Sequence, residues 1–173
     1  RNGVVTGQPA GTRIIVSGRV TNEAGQPIPD VLIEIWQANA SGCYASERDR
    51  EDAPADPNFK GVGRSMTDGD GRYSFRTIRP GNYPVPSERD RWRPAHIHFS
   101  LYGASMVSRL VTQMYFPGDP MLASDRVFNS IPDETARNAL FARFSPDMGE
   151  PGRALGYRFD IVLRDRHFAL PEG

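Results

Sequence analysis

This sequence predicts an all-β fold: a β-sandwich of mixed and antiparallel strands with long loops and one short peripheral helix. Three observations carry that expectation. Glycine (17) and proline (15) make up 32 of 173 residues, about 18% against roughly 12% in average usage, and such an excess favours short strands and turns over long helices. Apolar residues alternate with period two in six or more segments, as half-buried strands require. Only one segment, 132–144, carries a helical stripe. The length suits one core, so residues 1–173 are expected to form a single domain with an N-terminal arm at 1–12 and a C-terminal tail at 164–173.

Taken in order, residues 1–12 are rich in glycine and small polar residues, lack a period, and read as an arm. From Arg13, Ile14, Val16 and Val20 alternate with Ile15, Ser17 and Arg19. The turn chemistry of Asn22-Glu23-Ala24-Gly25-Gln26-Pro27 follows, and Val31, Ile33 and Ile35 resume the alternation. Residues 38–64 show no period and exceed the roughly 12–15 residues at which a loop without structure becomes uncommon, so a functional loop is expected. Tyr73, Phe75 and Thr77 mark a strand ended by Arg79-Pro80-Gly81. Ala95, Ile97, Phe99 and Leu101 mark another, whose opposite face carries His96, His98, Ser100 and Tyr102. A further strand is expected over 107–116, closed by Pro117-Gly118-Asp119-Pro120. Over 132–144, Ser130 is the expected cap, Pro132 suits the first turn, Asp133 and Glu134 favour the helix dipole, and Ala136, Leu140, Phe141 and Phe144 share a stripe. The last strand places Leu155, Tyr157, Phe159, Ile161 and Leu163 on one face and Arg158, Asp160 and Arg164 on the other.

Charge and cysteine usage exclude several functions. Lys plus Arg (21) balances Asp plus Glu (21), leaving no global basic field for nucleic acid or an anionic membrane. No apolar run approaches the ~20 residues of a membrane-spanning helix and no signal segment opens the chain, so a soluble cytoplasmic bacterial protein is expected. Cys43 is the lone cysteine, which excludes an intrachain disulfide framework and a zinc site built on several thiolates.

The sharpest local feature is Arg93-Pro94-Ala95-His96-Ile97-His98-Phe99-Ser100. Side chains two apart on a strand project from one face, so His96 and His98 can reach one metal ion without bending the backbone, while Ile97 and Phe99 enter the core behind them. Spacing alone leaves open two polar residues on a solvated face. Cysteine cannot complete such a site, and His167 lies in the charged stretch Arg164-Asp165-Arg166-His167, where an exposed residue is expected. Oxygen donors remain. Tyr44 in the long loop and Tyr83 in Gly81-Asn82-Tyr83-Pro84 belong to no alternating face, and each is either an exposed loop residue or a ligand. Phenolate is a hard anionic donor that favours an ion such as Fe(III). Asp68-Gly69-Asp70-Gly71 imitates the start of a calcium loop, but Arg79 stands where its glutamate belongs, so a hairpin turn is expected. Asn39-Ala40-Ser41 matches a glycosylation sequon without a secretory signal. Arg89, Arg91 and Arg93 form a local run of which one could bind an anion beside a metal.

At Arg13-Ile14-Ile15-Val16, Glu34-Ile35-Trp36-Gln37-Ala38-Asn39-Ala40, Asp56-Pro57-Asn58-Phe59, Trp92-Arg93-Pro94-Ala95-His96-Ile97-His98-Phe99, Gln113-Met114-Tyr115-Phe116-Pro117-Gly118-Asp119-Pro120 and Tyr157-Arg158-Phe159-Asp160-Ile161-Val162-Leu163, the chain resembles the iron-bearing chains of the intradiol ring-cleavage dioxygenase family. The similarity runs from Gly11 to Leu163. It implies a β-sandwich and one Fe(III) per catalytic chain, bound by Tyr83 and His96 axially and by Tyr44 and His98 equatorially. The implied reaction inserts both atoms of O2 into protocatechuate, opening the ring between the hydroxyl-bearing carbons to give 3-carboxy-cis,cis-muconate. Tyr83 would leave the metal and accept a proton, Arg93 would stabilise negative charge on the ring, and Gln113 would hydrogen-bond in the same pocket. The resemblance also implies an α-type partner chain, similar but without the iron ligands, in an αβ protomer and higher oligomer.

One departure bears on substrate. The family's related chains generally continue Pro-Trp-Arg after the axial tyrosine, whereas Tyr83-Pro84 is followed here by Val85-Pro86. A smaller wall and one fewer cation leave another 4-substituted catechol, such as a sulfonated one, as the alternative. Related chains also carry several tens of residues before the Arg-Ile-Ile strand, so the arm is expected to be incomplete. A rival reading is a transthyretin-like binding module, which shares the grammar of Gly18-Arg19-Val20, Gly25-Gln26-Pro27-Ile28-Pro29 and Asp70-Gly71-Arg72-Tyr73-Ser74-Phe75. Such a module has no reason to carry His96-Ile97-His98 with Tyr44 and Tyr83.

Overall fold

A computed structural model describes residues 8–45, 54–85, 88–103 and 109–163. Most of the expected arm, the middle of the long loop, Pro86, Val107 and the C-terminal tail with His167 lie outside the described residues. Eleven strands are found among those described: β1 (Arg13–Thr21), β2 (Leu32–Trp36), β3 (Val62–Met66), β4 (Arg72–Ile78), β5 (Tyr83–Val85), β6 (Glu88–Arg93), β7 (His96–Tyr102), β8 (Arg109–Tyr115), β9 (Arg143–Phe144), β10 (Leu155–Arg158) and β11 (Ile161–Val162).

They form two facing sheets and a hairpin. In the first sheet β1 is central, antiparallel to β4 and parallel to β10 and β11, with β9 beyond β10. The second is antiparallel in the order β3-β2-β7-β8, and β5 pairs with β6. Alternation sends Ile14, Val16, Val20 and Phe75 of the first sheet against Ile33, Ile35, Ile97, Phe99, Leu101 and Met114 of the second, all almost fully buried. Phe75 and Phe99 meet edge to face across the core at 6.3 Å. Each such burial contributes about 1.5–3 kcal/mol, and the inward set holds the outward residues of β7 in place. The mixed β-sandwich agrees with the sequence expectation.

The last strand is not continuous. It breaks at Phe159 and Asp160 because polar groups there leave the ladder. The Asp160 carboxylate accepts from the Arg19 N–H at 3.0 Å, and the Phe159 carbonyl turns inward to accept from the buried Tyr73 hydroxyl at 2.5 Å. A Cβ on Gly18 would lie 1.8 Å from that carbonyl oxygen, so only glycine fits. Leu155, expected on the buried face, is 42% exposed at the outer end of β10.

The helix expected over 132–144 is also shorter. Two brief helices, α1 (Arg126–Asn129) and α2 (Glu134–Ala139), stand in its region, with 3-10 turns at Pro120–Ser124 and Pro146–Met148. Asp133 caps α2, whereas Ser130 ends α1. The chain leaves the helix after Leu140 because its backbone finds β8: Tyr115 N–H donates to the Leu140 carbonyl at 2.8 Å and Ala142 N–H to the Tyr115 carbonyl at 2.9 Å. Phe144 thereby enters β9 and is 56% exposed. The long loop is trimmed at its end, where Val62 already begins β3. Asp68-Gly69-Asp70-Gly71 is the β3–β4 turn, with the Asp68 carboxylate accepting from the Asp70 and Arg72 N–H groups. No helix of the described residues is long and apolar enough to cross a membrane.

Candidate metal centre

The centre of the site is the outward face at the start of β7. His96 lies opposite Tyr115 of β8, and His98 lies between Trp36 of β2 and Gln113 of β8. His96 is 2% exposed, and its Nδ1 donates to the Pro94 carbonyl at 2.7 Å. A carbonyl can only accept, so this bond fixes the tautomer and leaves the Nε2 lone pair facing the site. The Trp36 indole stacks on the His98 ring at 4.6 Å and 3° between planes, which holds that imidazole in orientation.

The two Nε2 atoms are 3.2 Å apart, and the Tyr44 hydroxyl lies 3.2 Å from Nε2 of His98. Ligands held roughly 2.1 Å from one ion and about 100° apart would be separated by about 3.2 Å, so the spacing fits donors sharing a cation. Burial, aided by the Arg93 charge, lowers the His96 pKa to about 4. Burial, with His96 and Arg93, lowers that of His98 to about 3. Both imidazoles are therefore neutral near pH 7, the form that binds metal. Among the described residues no group of three or more His, Cys, Asp or Glu is placed to hold a metal, and phenol oxygens beside the imidazoles would complete a set. Such a set of two nitrogen and two hard oxygen donors suits Fe(III).

Tyr83 comes from the β5–β6 hairpin, where it pairs directly with Arg93. Its ring meets that of Tyr44 edge-on at 5.1 Å and tilts over His96 at 5.5 Å. Arg93 N–H groups contact the Tyr83 hydroxyl at 3.2 Å and His96 Nε2 at 3.3 Å, so Tyr83 joins the cluster through the guanidinium. Another Arg93 N–H reaches Gln113 Oε1 at 2.8 Å. The structure thus brings Tyr44, Tyr83, Arg93, His96, His98 and Gln113 into one cluster. Val85 is half-buried at the end of β5.

Tyr44 sits in the long loop and Tyr83 at the start of β5, and backbone packing joins the two segments. Asn39 is the hub. Its carbonyl accepts from the N–H groups of Gly42 and Gly81, and its side-chain oxygen accepts from Ser41 N–H and Oγ–H and from Cys43 N–H. The side chain is turned inward and 4% of the residue is exposed, so the apparent sequon is a turn that positions Tyr44. A cavity of about 550 Å³ opens beside Tyr44, with Asn39, Cys43, Asp56, Phe59 and Lys60 in its wall. Two larger surface grooves, about 700 and 920 Å³, contain none of the clustered side chains.

Sequence reasoning missed Asp125, Tyr115 and Asp119. Asp125 accepts from Arg93 Nε at 2.8 Å, and the Tyr115 hydroxyl meets both Arg93 and Gln113. Asp119 accepts from the Ala95 N–H at 2.9 Å and so anchors the start of β7. Tyr115 was findable, since it follows Gln113 by two on one strand face; no local pattern pointed to Asp125.

Comparison with known proteins shows the family. The dioxygenase family model matches residues 2–165. The protocatechuate 3,4-dioxygenase β chain of Burkholderia cepacia is 58% identical over 166 residues, 96% of this chain and 70% of that one. The hydroxyquinol 1,2-dioxygenase of a Rhizobium strain is 35% identical over 68% of this chain and 42% of its own length. Among solved structures, the hydroxyquinol 1,2-dioxygenase of Pseudomonas putida DLL-E4 superposes with a TM-score of 0.72 at 26% identity, covering 94% of this chain and 60% of that one. The dioxygenase domain of a Streptomyces carbohydrate-binding fusion gives 0.66 at 31% identity, covering 94% and 88%.

Proposed function

The chain belongs to the intradiol dioxygenase family, and from that premise we propose that it binds one Fe(III) through Tyr44, Tyr83, His96 and His98 and opens protocatechuate between its hydroxyl-bearing carbons. Both atoms of O2 enter the product, 3-carboxy-cis,cis-muconate. The observation that carries the metal assignment is the convergence of two neutral imidazoles, their Nε2 atoms 3.2 Å apart, with the Tyr44 hydroxyl at the same distance. When bound, Fe(III) supplies Lewis acidity and covalency that make a chelated catecholate reactive towards O2.

The chain's own residues do the rest. Tyr83 is the residue placed to accept a proton from an arriving catechol hydroxyl. Arg93 offers a fixed positive charge, 8% exposed, against the Tyr83 oxygen, where it stabilises negative charge that develops on the ring. Gln113 has a defined sense. Its amide oxygen accepts from Arg93 at 2.8 Å and from the Tyr115 hydroxyl at 2.5 Å, so its NH2 group is the end left to donate to a substrate oxygen. A small anionic substrate held by one local arginine also suits a chain without net charge. The β-chain name of the Burkholderia cepacia relative supports pairing with an α-type chain, and we infer an αβ protomer and higher oligomer from that reading. The second reading is the same chemistry on another 4-substituted catechol, such as a sulfonated one, because Val85 stands where related chains carry a larger side chain.

Iron reconstitution tests the assignment. The loaded protein is expected to show a broad visible band from phenolate-to-iron charge transfer, shifted or bleached by Tyr44→Phe and by Tyr83→Phe. A colourless protein carrying one iron per chain would falsify phenolate ligation.

A further inference from the structure

Building on that function, we propose that Asp125 is a positioning residue of the site, whose carboxylate fixes the Arg93 guanidinium so that its remaining N–H groups meet Tyr83, Gln113 and Tyr115. The Arg93 and Asp125 side chains are 9% and 0% exposed. Nε of Arg93 donates to Oδ2 of Asp125 at 2.8 Å, and Nη2 is 3.4 Å from Oδ1. Anchoring this edge sets the plane of a rigid fork. Nη1 is thereby aimed at the Tyr83 hydroxyl, and Nη2 at Gln113 and Tyr115.

Asp125 is itself held. Its Oδ1 accepts from the Phe128 N–H at 2.7 Å at the start of α1, so the carboxylate is fixed from the helix side while it fixes the arginine. The pair joins residues 32 apart in the chain and ties α1 to the β5–β6 hairpin. A buried guanidinium that loses its counter-charge is both destabilised and free to swing. Serving as a helix cap is the competing role, and the chemistry separates the two. Asparagine caps helices as well as aspartate does, so Asp125→Asn keeps the cap and removes the charge.

A double-mutant cycle of Asp125→Asn and Arg93→Ala tests the proposal, with iron per chain, kcat and KM measured on the reconstituted enzyme and Tm on the iron-free protein. In the native background Asp125→Asn is expected to keep the iron and to lower kcat by about tenfold or more. In the Arg93→Ala background the same change is expected to cost less than about twofold. Tm follows the same pattern, falling in the first background and not in the second. Equal losses in both backgrounds, or an unchanged kcat in the native one, would overturn positioning through Arg93. If the wild-type enzyme cleaves no catechol, the proposed function fails, and the iron-free Tm cycle still decides the coupling: additive changes overturn it. Should Asp125→Asn alone not fold, folding of the double variant supports the coupling and its failure to fold overturns it.

Discussion

Gly42→Ala probes whether the two tyrosine-bearing loops are clasped at backbone contact. Gly42 has φ +80°, and a Cβ built there lies 2.1 Å from the Asn82 carbonyl oxygen and 3.3 Å from the Tyr83 Cα. Carbon and carbonyl oxygen ordinarily approach no closer than about 3.3 Å, so one loop must withdraw by about 1 Å. The left-handed backbone adds roughly 1–2 kcal/mol for an L side chain. The facing loop has little room to yield, because a Cβ on Gly81 would in turn lie 2.4 Å from the Ala40 carbonyl oxygen. At about 2–4 °C per kcal/mol for a chain of this size, the backbone cost alone lowers the Tm of the iron-free protein by about 2–8 °C. A shift of about 1 Å between groups that must act together costs about 100-fold in kcat. Calorimetry of the iron-free protein, followed by steady-state rates normalised to iron after loading, measures both quantities. A Tm within about 1 °C of wild type together with an unchanged kcat would refute the clasp.

Other expectations follow from single contacts. Asn39→Ala removes the acceptor for Ser41 and Cys43 donors, so it should cost about 2 kcal/mol or more and broaden the charge-transfer band expected from Tyr44, while Asn39→Asp, which keeps the acceptor but loses the N–H donated to the Pro54 carbonyl, restores the band in part; equal effects of the two would contradict the hub. Tyr73→Phe leaves the buried Phe159 carbonyl without its hydroxyl donor and should lower Tm by about 2–6 °C with iron content intact; an unchanged Tm would contradict it. The Arg76 hydrogen bond and charge hold the Glu150 carboxyl below its ordinary value of 4.5. A depressed folded pKa means stability that is full above the unfolded value and lost as pH falls through the folded one. Glu150→Gln should therefore lower Tm slightly near pH 7 and match wild type in strong acid, and a gap that persists in acid would contradict the pairing.

What could be read from the sequence divides along physical lines. His96 and His98 were legible because strand geometry is local: period two fixes their common face, and the buried Ile97 and Phe99 behind them agree. Tyr44 and Tyr83 could only be nominated, since loops carry no period, and their contact depends on Gly42, Gly81 and Asn39 packing backbone on backbone. Arg93 stood out within a basic run, yet its partner Asp125 lies 32 residues away, where no local pattern marks it. The 132–144 helix failed for the complementary reason. Its apolar stripe was real, but Tyr115 offered backbone partners that outcompeted further helical turns, and the stripe was divided between α2 and β9.

The central claim is tested most directly by oxygen uptake of the iron-loaded protein with protocatechuate under 18O2, with the product analysed by absorbance and mass. The structure predicts one O2 consumed per substrate and a ring-opened tricarboxylate carrying both labelled atoms. A coloured semialdehyde from opening beside the two hydroxyl-bearing carbons, a product with one labelled atom, or no uptake across carboxylated and sulfonated catechols would contradict it.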